Sequence, residues 1–260
     1  MKIAISGKGG VGKTILAALL SKVFAESGYS VLTIDADPDS NLAATIGFPQ
    51  PEKITPISEM KDLVEERTGA RPGRGEIFFK LNPRVDDLPE KYCQEYNGIK
   101  VMVMGRVKQG GSGCYCPENA LVQALVNHLL LSRNEVVILD MEAGIEHLGR
   151  ATAKAVDKLI VVVEPGRRSI ETAYKINKLA QEIGLHNITI VGNKLRSQSD
   201  KEFLISSLPG FSFLGFIPYD QALVEADIGN LPLADSSKQI ITEVRNIYQA
   251  LLATVPAKAQ

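Results

Sequence analysis

Residues 7–14 read Gly-Lys-Gly-Gly-Val-Gly-Lys-Thr and satisfy the spacing G-x-x-x-x-G-K-[ST]. Glycines at 7, 9, 10 and 12 let the backbone curl so that successive N–H groups point inward at an anion. A helix beginning near Lys13 would bring the positive end of its dipole to the same point. That is a phosphate cradle. Gly9, Gly10, Val11 and Gly12 supply backbone donors, Lys13 reaches the β- and γ-phosphates, and the Thr14 hydroxyl coordinates Mg²⁺. Lys8 has no task in such a cradle, and beside Lys13 it adds repulsion.

Other polar groups fall where apolar runs end. Val136-Val137-Ile138-Leu139 leads into Asp140, which can hold the metal ion through water, and Ala143-Gly144 gives the chain a flexible continuation. A second run leads to Asp35-Ala36-Asp37-Pro38-Asp39-Ser40-Asn41, a set that also makes a good turn. Asn193 follows Val191-Gly192, and its amide can pair with the donor and acceptor edges of adenine. His128, His147 and His186 are scattered, and none is assigned as a ligand.

Gly110-Gly111-Ser112-Gly113-Cys114-Tyr115-Cys116-Pro117 sets two thiols at the start of a helix, where the dipole favours thiolate, the form that binds soft metals. One C-x-C supplies two sulfurs, and a closed tetrahedral site needs four. Two chains meeting at a two-fold axis would supply Cys114 and Cys116 twice. Buried cysteines or a redox dithiol are the competing readings, and Cys93 stands as a possible third ligand.

The elements that position these groups alternate along the chain. Apolar runs at 2–6, 30–34, 100–104, 135–139, 158–163, 188–192 and 213–217 read as buried parallel strands. Helical stretches at 13–27, 117–132, 168–184 and 236–253 lie between or after them, with shorter helices elsewhere. The pattern predicts a single α/β P-loop domain over 1–254, with a mostly parallel, doubly wound sheet flanked by helices. Residues 48–98, rich in proline and charge, read as an insertion packed on that domain, with a mobile loop at Arg71 to Arg74. The stripe Ile240, Ile241, Val244, Ile247, Tyr248, Leu251 and Leu252 predicts a core-facing last helix, and 255–260 reads as a tail.

The loop with its extra lysine resembles the deviant Walker A loop of the MinD/ParA/nitrogenase-iron-protein superfamily, and D-x-D-P-x-x-N at Asp35 to Asn41 resembles its first switch. The resemblance implies that Lys8 crosses a homodimer interface to the partner's nucleotide, that Asp37 orients the attacking water and that Asp35 supports the Mg²⁺ shell. By the same likeness Asn193 contacts the base, and Pro218 belongs to the loop that closes over it. With the G-C-x-C-P-E-N-A stretch added, the chain is similar to the nickel-insertion ATPases that mature carbon monoxide dehydrogenase and acetyl-CoA synthase. That likeness implies a metallochaperone that hydrolyses ATP to ADP, binds Ni²⁺ and serves a nickel–iron–sulfur client enzyme. Sulfur ligands suit Zn²⁺ as well.

Composition narrows the other classes. The apolar share of 45% and charged share of 23% are those of a globular protein, and a net charge of −1 makes no case for nucleic acid as the main partner. No apolar run is long enough to span a membrane, and a loop starting at Gly7 leaves no room for a signal peptide, so a cytoplasmic protein is expected. An iron–sulfur carrier would use the same cysteines, and a ParA/MinD-type positioning ATPase would need a basic face or terminus.

Overall fold

Strands that read as unbroken Val, Ile and Leu runs must be covered on both faces, and the fold covers them with helices. The computed structural model describes residues 1–37, 39–74, 78–105, 116–132, 135–145, 148, 150–228 and 237–254. Among these, the strands are β1 (Lys2–Gly7), β2 (Val31–Ala36), β3 (Gln94–Tyr96), β4 (Ile99–Val103), β5 (Val136–Met141), β6 (Lys158–Val163), β7 (Ile188–Leu195) and β8 (Ser212–Pro218). They form one sheet in the order β3-β4-β2-β5-β1-β6-β7-β8. Every neighbouring pair is parallel except β3 with β4.

Each expected strand forms, and several run further than their apolar cores. β2 continues through Asp35, β5 through Asp140 and β7 through Asn193, so these polar residues occupy the last rungs of the sheet and not the loops beyond. The ladder supplies the reason: Asp35 pairs in register with both Val103 and Asp140, which keeps its backbone extended. β3 is an additional edge strand. It folds back on β4 through Asn97-Gly98, both at positive φ (50° and 76°), the geometry of a two-residue hairpin turn.

The helices are α1 (Lys13–Glu26), α2 (Leu42–Ile46), α3 (Lys61–Thr68), α4 (Leu88–Tyr92), α5 (Pro117–Ser132), α6 (Arg150–Ala153), α7 (Arg167–Glu182), α8 (Gln198–Ser207), α9 (Gln221–Ile228) and α10 (Lys238–Thr254). Side chains of α1, α2 and α10 share one core layer, and those of α3, α5, α7 and α8 share the other. Strand alternation sorts the sheet between them. On β5, Val137, Leu139 and Met141 enter the α5 layer, while Val136 and Ile138 enter the α1 layer. Asp140 therefore faces α1 and the loop that precedes it. The stripe on α10 buries Ile240, Val244, Ile247 and Leu251, and Tyr248 meets Phe24 of α1 edge-on at 4.9 Å.

The proline-rich segment is part of this core. Ile57, Leu63, Val64, Val85 and Leu88 are buried in the same cluster as α5. Arg67 on α3 grips Asp87 with two hydrogen bonds of 2.9 and 2.8 Å, which hold the Asp87 carboxyl well below the usual range. Arg71, expected in a mobile loop, is ion-paired to Glu65 at 2.6 Å and Asp62 at 2.9 Å. Among the described residues no helix is long and apolar enough to cross a membrane. Because Leu88 is fully buried, Leu88→Ala should lower the unfolding free energy by about 3 kcal/mol in one cooperative transition. Urea denaturation checks this, and a loss under about 1 kcal/mol would make the segment peripheral.

Candidate functional site

Residues separated widely in sequence converge at the carboxyl ends of the parallel strands, the edge where open α/β sheets bind ligands. They line a cleft of about 740 Å³ that includes Gly9, Gly10, Gly12, Lys13, Thr14, Asp37, Asn193 and Pro218. Glu142, Lys194 and Tyr219 line it too.

The loop that forms its floor has left-handed backbone at Gly10 (φ 78°) and Gly12 (φ 95°). Gly12 precedes α1, and no side chain caps that helix, so its first-turn N–H groups are available to an anion. A Cβ on Gly12 would collide with the Asn193 amide. This close approach has a purpose. Asn193 Nδ2 donates to the Val11 carbonyl at 2.7 Å, and its Oδ1 accepts from the Lys194 N–H at 2.9 Å. Lys194 Nζ in turn donates to the Gly10 carbonyl at 2.5 Å. Asn193, expected at the base, here braces the phosphate loop from β7.

Beneath the loop lie two carboxylates. Asp35 and Asp140 are neighbours in the β2–β5 register and almost completely buried. Asp35 accepts from the Asp37 N–H at 3.2 Å and the Leu42 N–H at 3.0 Å, pinning both ends of the turn between them. Burial pushes its pKa up to about 6 despite these two donors. Asp140 is pushed to about 7, again chiefly by burial; the Thr14 hydroxyl and Lys13 ammonium pull it down, and Asp35 pushes it up. The Thr14 approach falls short of a well-formed hydrogen bond, and neither Asp140 oxygen has a partner among the described residues. A buried carboxylate left this way is costly. A hard divalent cation beside Thr14 would answer that charge with an oxygen-only donor set, so the site fits Mg²⁺.

Asp37 stands on the rim, where its Oδ1 accepts from the Asp39 N–H at 3.0 Å and its carbonyl accepts from Ser40 Oγ at 3.0 Å. At the other end of the cleft, Pro218 ends β8 and the Tyr219 N–H donates to the Leu195 carbonyl at 2.8 Å. The Arg196 guanidinium covers the Tyr219 ring at 4.7 Å. Lys8 lies outside this grouping and pairs with Glu164 at 3.2 Å. Cys114 and His147 lie outside the described residues. Cys116 is half-buried directly before α5, with its carbonyl accepting from the Ala120 N–H at 3.1 Å. Among the described residues no group of three or more His, Cys, Asp or Glu is arranged to hold a metal ion.

The profile of the CobQ/CobB/MinD/ParA nucleotide binding domain matches residues 2–233. The chain belongs to this family. It is an ATPase with a P-loop fold. Among its relatives is the carbon monoxide dehydrogenase accessory protein CooC of Rhodospirillum rubrum, 47% identical over 257 residues, covering 98% of this chain and 97% of that one. The septum site-determining protein MinD of Bacillus subtilis is 27% identical over 264 residues, covering 96% and 88%. In fold, the chain is similar to MinD in the MinC:MinD cell division protein complex of Aquifex aeolicus, with a TM-score of 0.69, 22% identity and coverage of 99% and 98%. MinD of Pyrococcus horikoshii, solved with Mg-ADP, matches with a TM-score of 0.65 at 17% identity, covering 99% and 98%.

The burial of Asp140 sets a pH signature for the metal-free protein. Its folded pKa of about 7 lies above the unfolded value of 3.8, so its contribution to stability falls as pH rises between them and is lowest above pH 7. Asp140→Asn removes the penalty. In EDTA at pH 8 the variant should be more stable by on the order of 2 kcal/mol, with the gain vanishing toward pH 4. Thermal melts across that range check it, and a variant less stable at pH 8 would refute it.

Proposed function

We propose that the protein is an ATP-dependent metallochaperone of the cytoplasm that matures a carbon monoxide dehydrogenase-type enzyme. The observation that carries this reading is 47% identity, along nearly the full length of both chains, to a carbon monoxide dehydrogenase accessory protein. The C-x-C pair of Cys114 and Cys116 ahead of α5 supports metal as cargo, with Ni²⁺ the ion suited to such a client and Zn²⁺ the competitor.

In this scheme the loop N–H groups from Gly9 to Gly12 and the uncapped start of α1 hold the phosphates of ATP, and Lys13 neutralises the β/γ region. Asn193 and Pro218 meet the base. Thr14 would hold Mg²⁺, with Asp140 through water and Asp35 in support, and the bound ion would supply charge compensation for the phosphates. Asp37, held on the rim by its own turn, orients the water that attacks the γ-phosphorus; ADP leaves and phosphate forms. Lys8 of each subunit reaches the nucleotide of its partner, so ATP draws two copies together. Cys114 and Cys116 from both copies then close a four-sulfur site around one ion, and opening of the dimer passes it to the client.

Equilibrium dialysis with metal analysis tests the cargo site. One Ni²⁺ per two chains is expected with nucleotide, and it should be lost in both Cys114→Ala and Cys116→Ala while ATP binding survives. Metal retained in both variants overturns the assignment. Lys8→Ala tests the exchange of lysines. It should keep nucleotide binding, lose ATP-induced dimerisation and lower turnover by about 10³-fold or more. A fully active variant removes the role in trans.

A further inference from the structure

Lys8 is the residue on which the proposed dimer turns, and in the single chain it is already engaged. Its Nζ lies 3.2 Å from Glu164 Oε1, and Lys194 Nζ lies 3.7 Å from the other oxygen, Oε2. One carboxylate therefore serves two lysines. Lys194 also donates to the Gly10 carbonyl, so it ties the same loop from the opposite side.

Local structure gives this cluster its position. Glu164 directly follows β6, on which Ile160 and Val162 enter the α1 layer. Alternation carries Glu164 to that same side, toward the phosphate loop. Its N–H donates to Ser169 Oγ at 3.1 Å, and Ser169 is buried in the first turn of α7. The Glu164 backbone is thereby anchored and cannot follow a departing lysine. Lys194 holds its place through a φ of 59°, which a lysine seldom adopts, at an irregularity in the β7–β8 ladder.

We infer that Glu164 is an in-cis latch: a positioning residue that keeps Lys8 on its own subunit until a second subunit's nucleotide competes for it. The inference rests on the reading that Lys8 acts in trans. The side chains of Lys8 and Glu164 are 36% and 26% exposed, so the pair is solvent-screened and weak enough to be exchanged for a triphosphate. A buried pair at this place would lock the lysine and block the exchange. When Lys8 leaves, Lys194 remains beside Glu164, and the carboxylate is not stranded. The latch thus sets how much nucleotide is needed before two copies join.

Glu164→Gln in the full chain keeps the shape and removes the charge. Dimer fraction against ATP concentration, followed by analytical ultracentrifugation, should show half-dimerisation at about threefold lower ATP than wild type, the scale of one exposed ion pair. The same titration in a Lys8→Ala background separates a latch from a general change in potential. There, Glu164→Gln should change neither ATP affinity nor the monomeric state, because the carboxylate acts through Lys8. An unchanged midpoint in a wild-type protein that does dimerise overturns the latch and leaves the trans role standing. A shift in ATP affinity of the same size without Lys8 also overturns it. A wild type that stays monomeric at saturating ATP and nickel overturns both.

Discussion

An ammonium and two carboxylates lie buried together under the phosphate loop: Lys13, Asp35 and Asp140 are 6%, 1% and 0% exposed. Burial weakens the screening that bulk water gives such charges. The β2–β5 register sets the two acids side by side, and burial raises both pKa values, with Asp35 adding to the rise at Asp140. Asp35 is compensated by two backbone donors, Asp140 by none of comparable quality. That imbalance makes the site a place for a cation and an anion together. Without them the fold carries an electrostatic cost at its centre, the kind of local conflict that binding sites concentrate.

The loop above these charges is held by β7 and not by its own glycines alone. Freedom at Gly10 and Gly12 permits the curl; Asn193 and Lys194 decide which curl is adopted by accepting or donating at Val11, Gly10 and each other. Preorganised N–H groups lose little on meeting phosphate, because the backbone need not be reordered at that moment. The same arrangement links nucleotide and lysines, since Lys194 touches both the loop and Glu164.

The phosphate loop, strand order of chemistry and α/β architecture were legible in the sequence because each rests on a local pattern: glycine spacing, apolar runs of fixed length, a carboxylate at a run's end. Three features were not. The Asn97-Gly98 turn was a hairpin signal, but the short polar strand before it has no apolar pattern to read. Residues 48–98 read as an insertion packed on the domain, but which residues pack was hidden, because those that do, such as Val64 and Leu88, are spaced too irregularly to show a period. Glu164 was the hardest. Its pairing with Lys8 spans 156 positions, and only the two-residue alternation of β6 carries a hint of its direction.

The turn at Asp35 and the residues that follow β4 are tied through the backbone. The Met104 N–H donates to the Asp35 carbonyl at 2.8 Å, and the Met104 carbonyl accepts from the Ser58 N–H at 3.1 Å. Gly105 follows at φ 78°, where a Cβ would strike Pro56 and Ser58, so no other residue passes between them without moving the segment. Asp35 thus holds the nucleotide turn with its carboxylate and the strand end at Met104 with its carbonyl. Within the proposed scheme, a displacement of Asp35 on nucleotide exchange reaches Met104, just after β4, through one hydrogen bond.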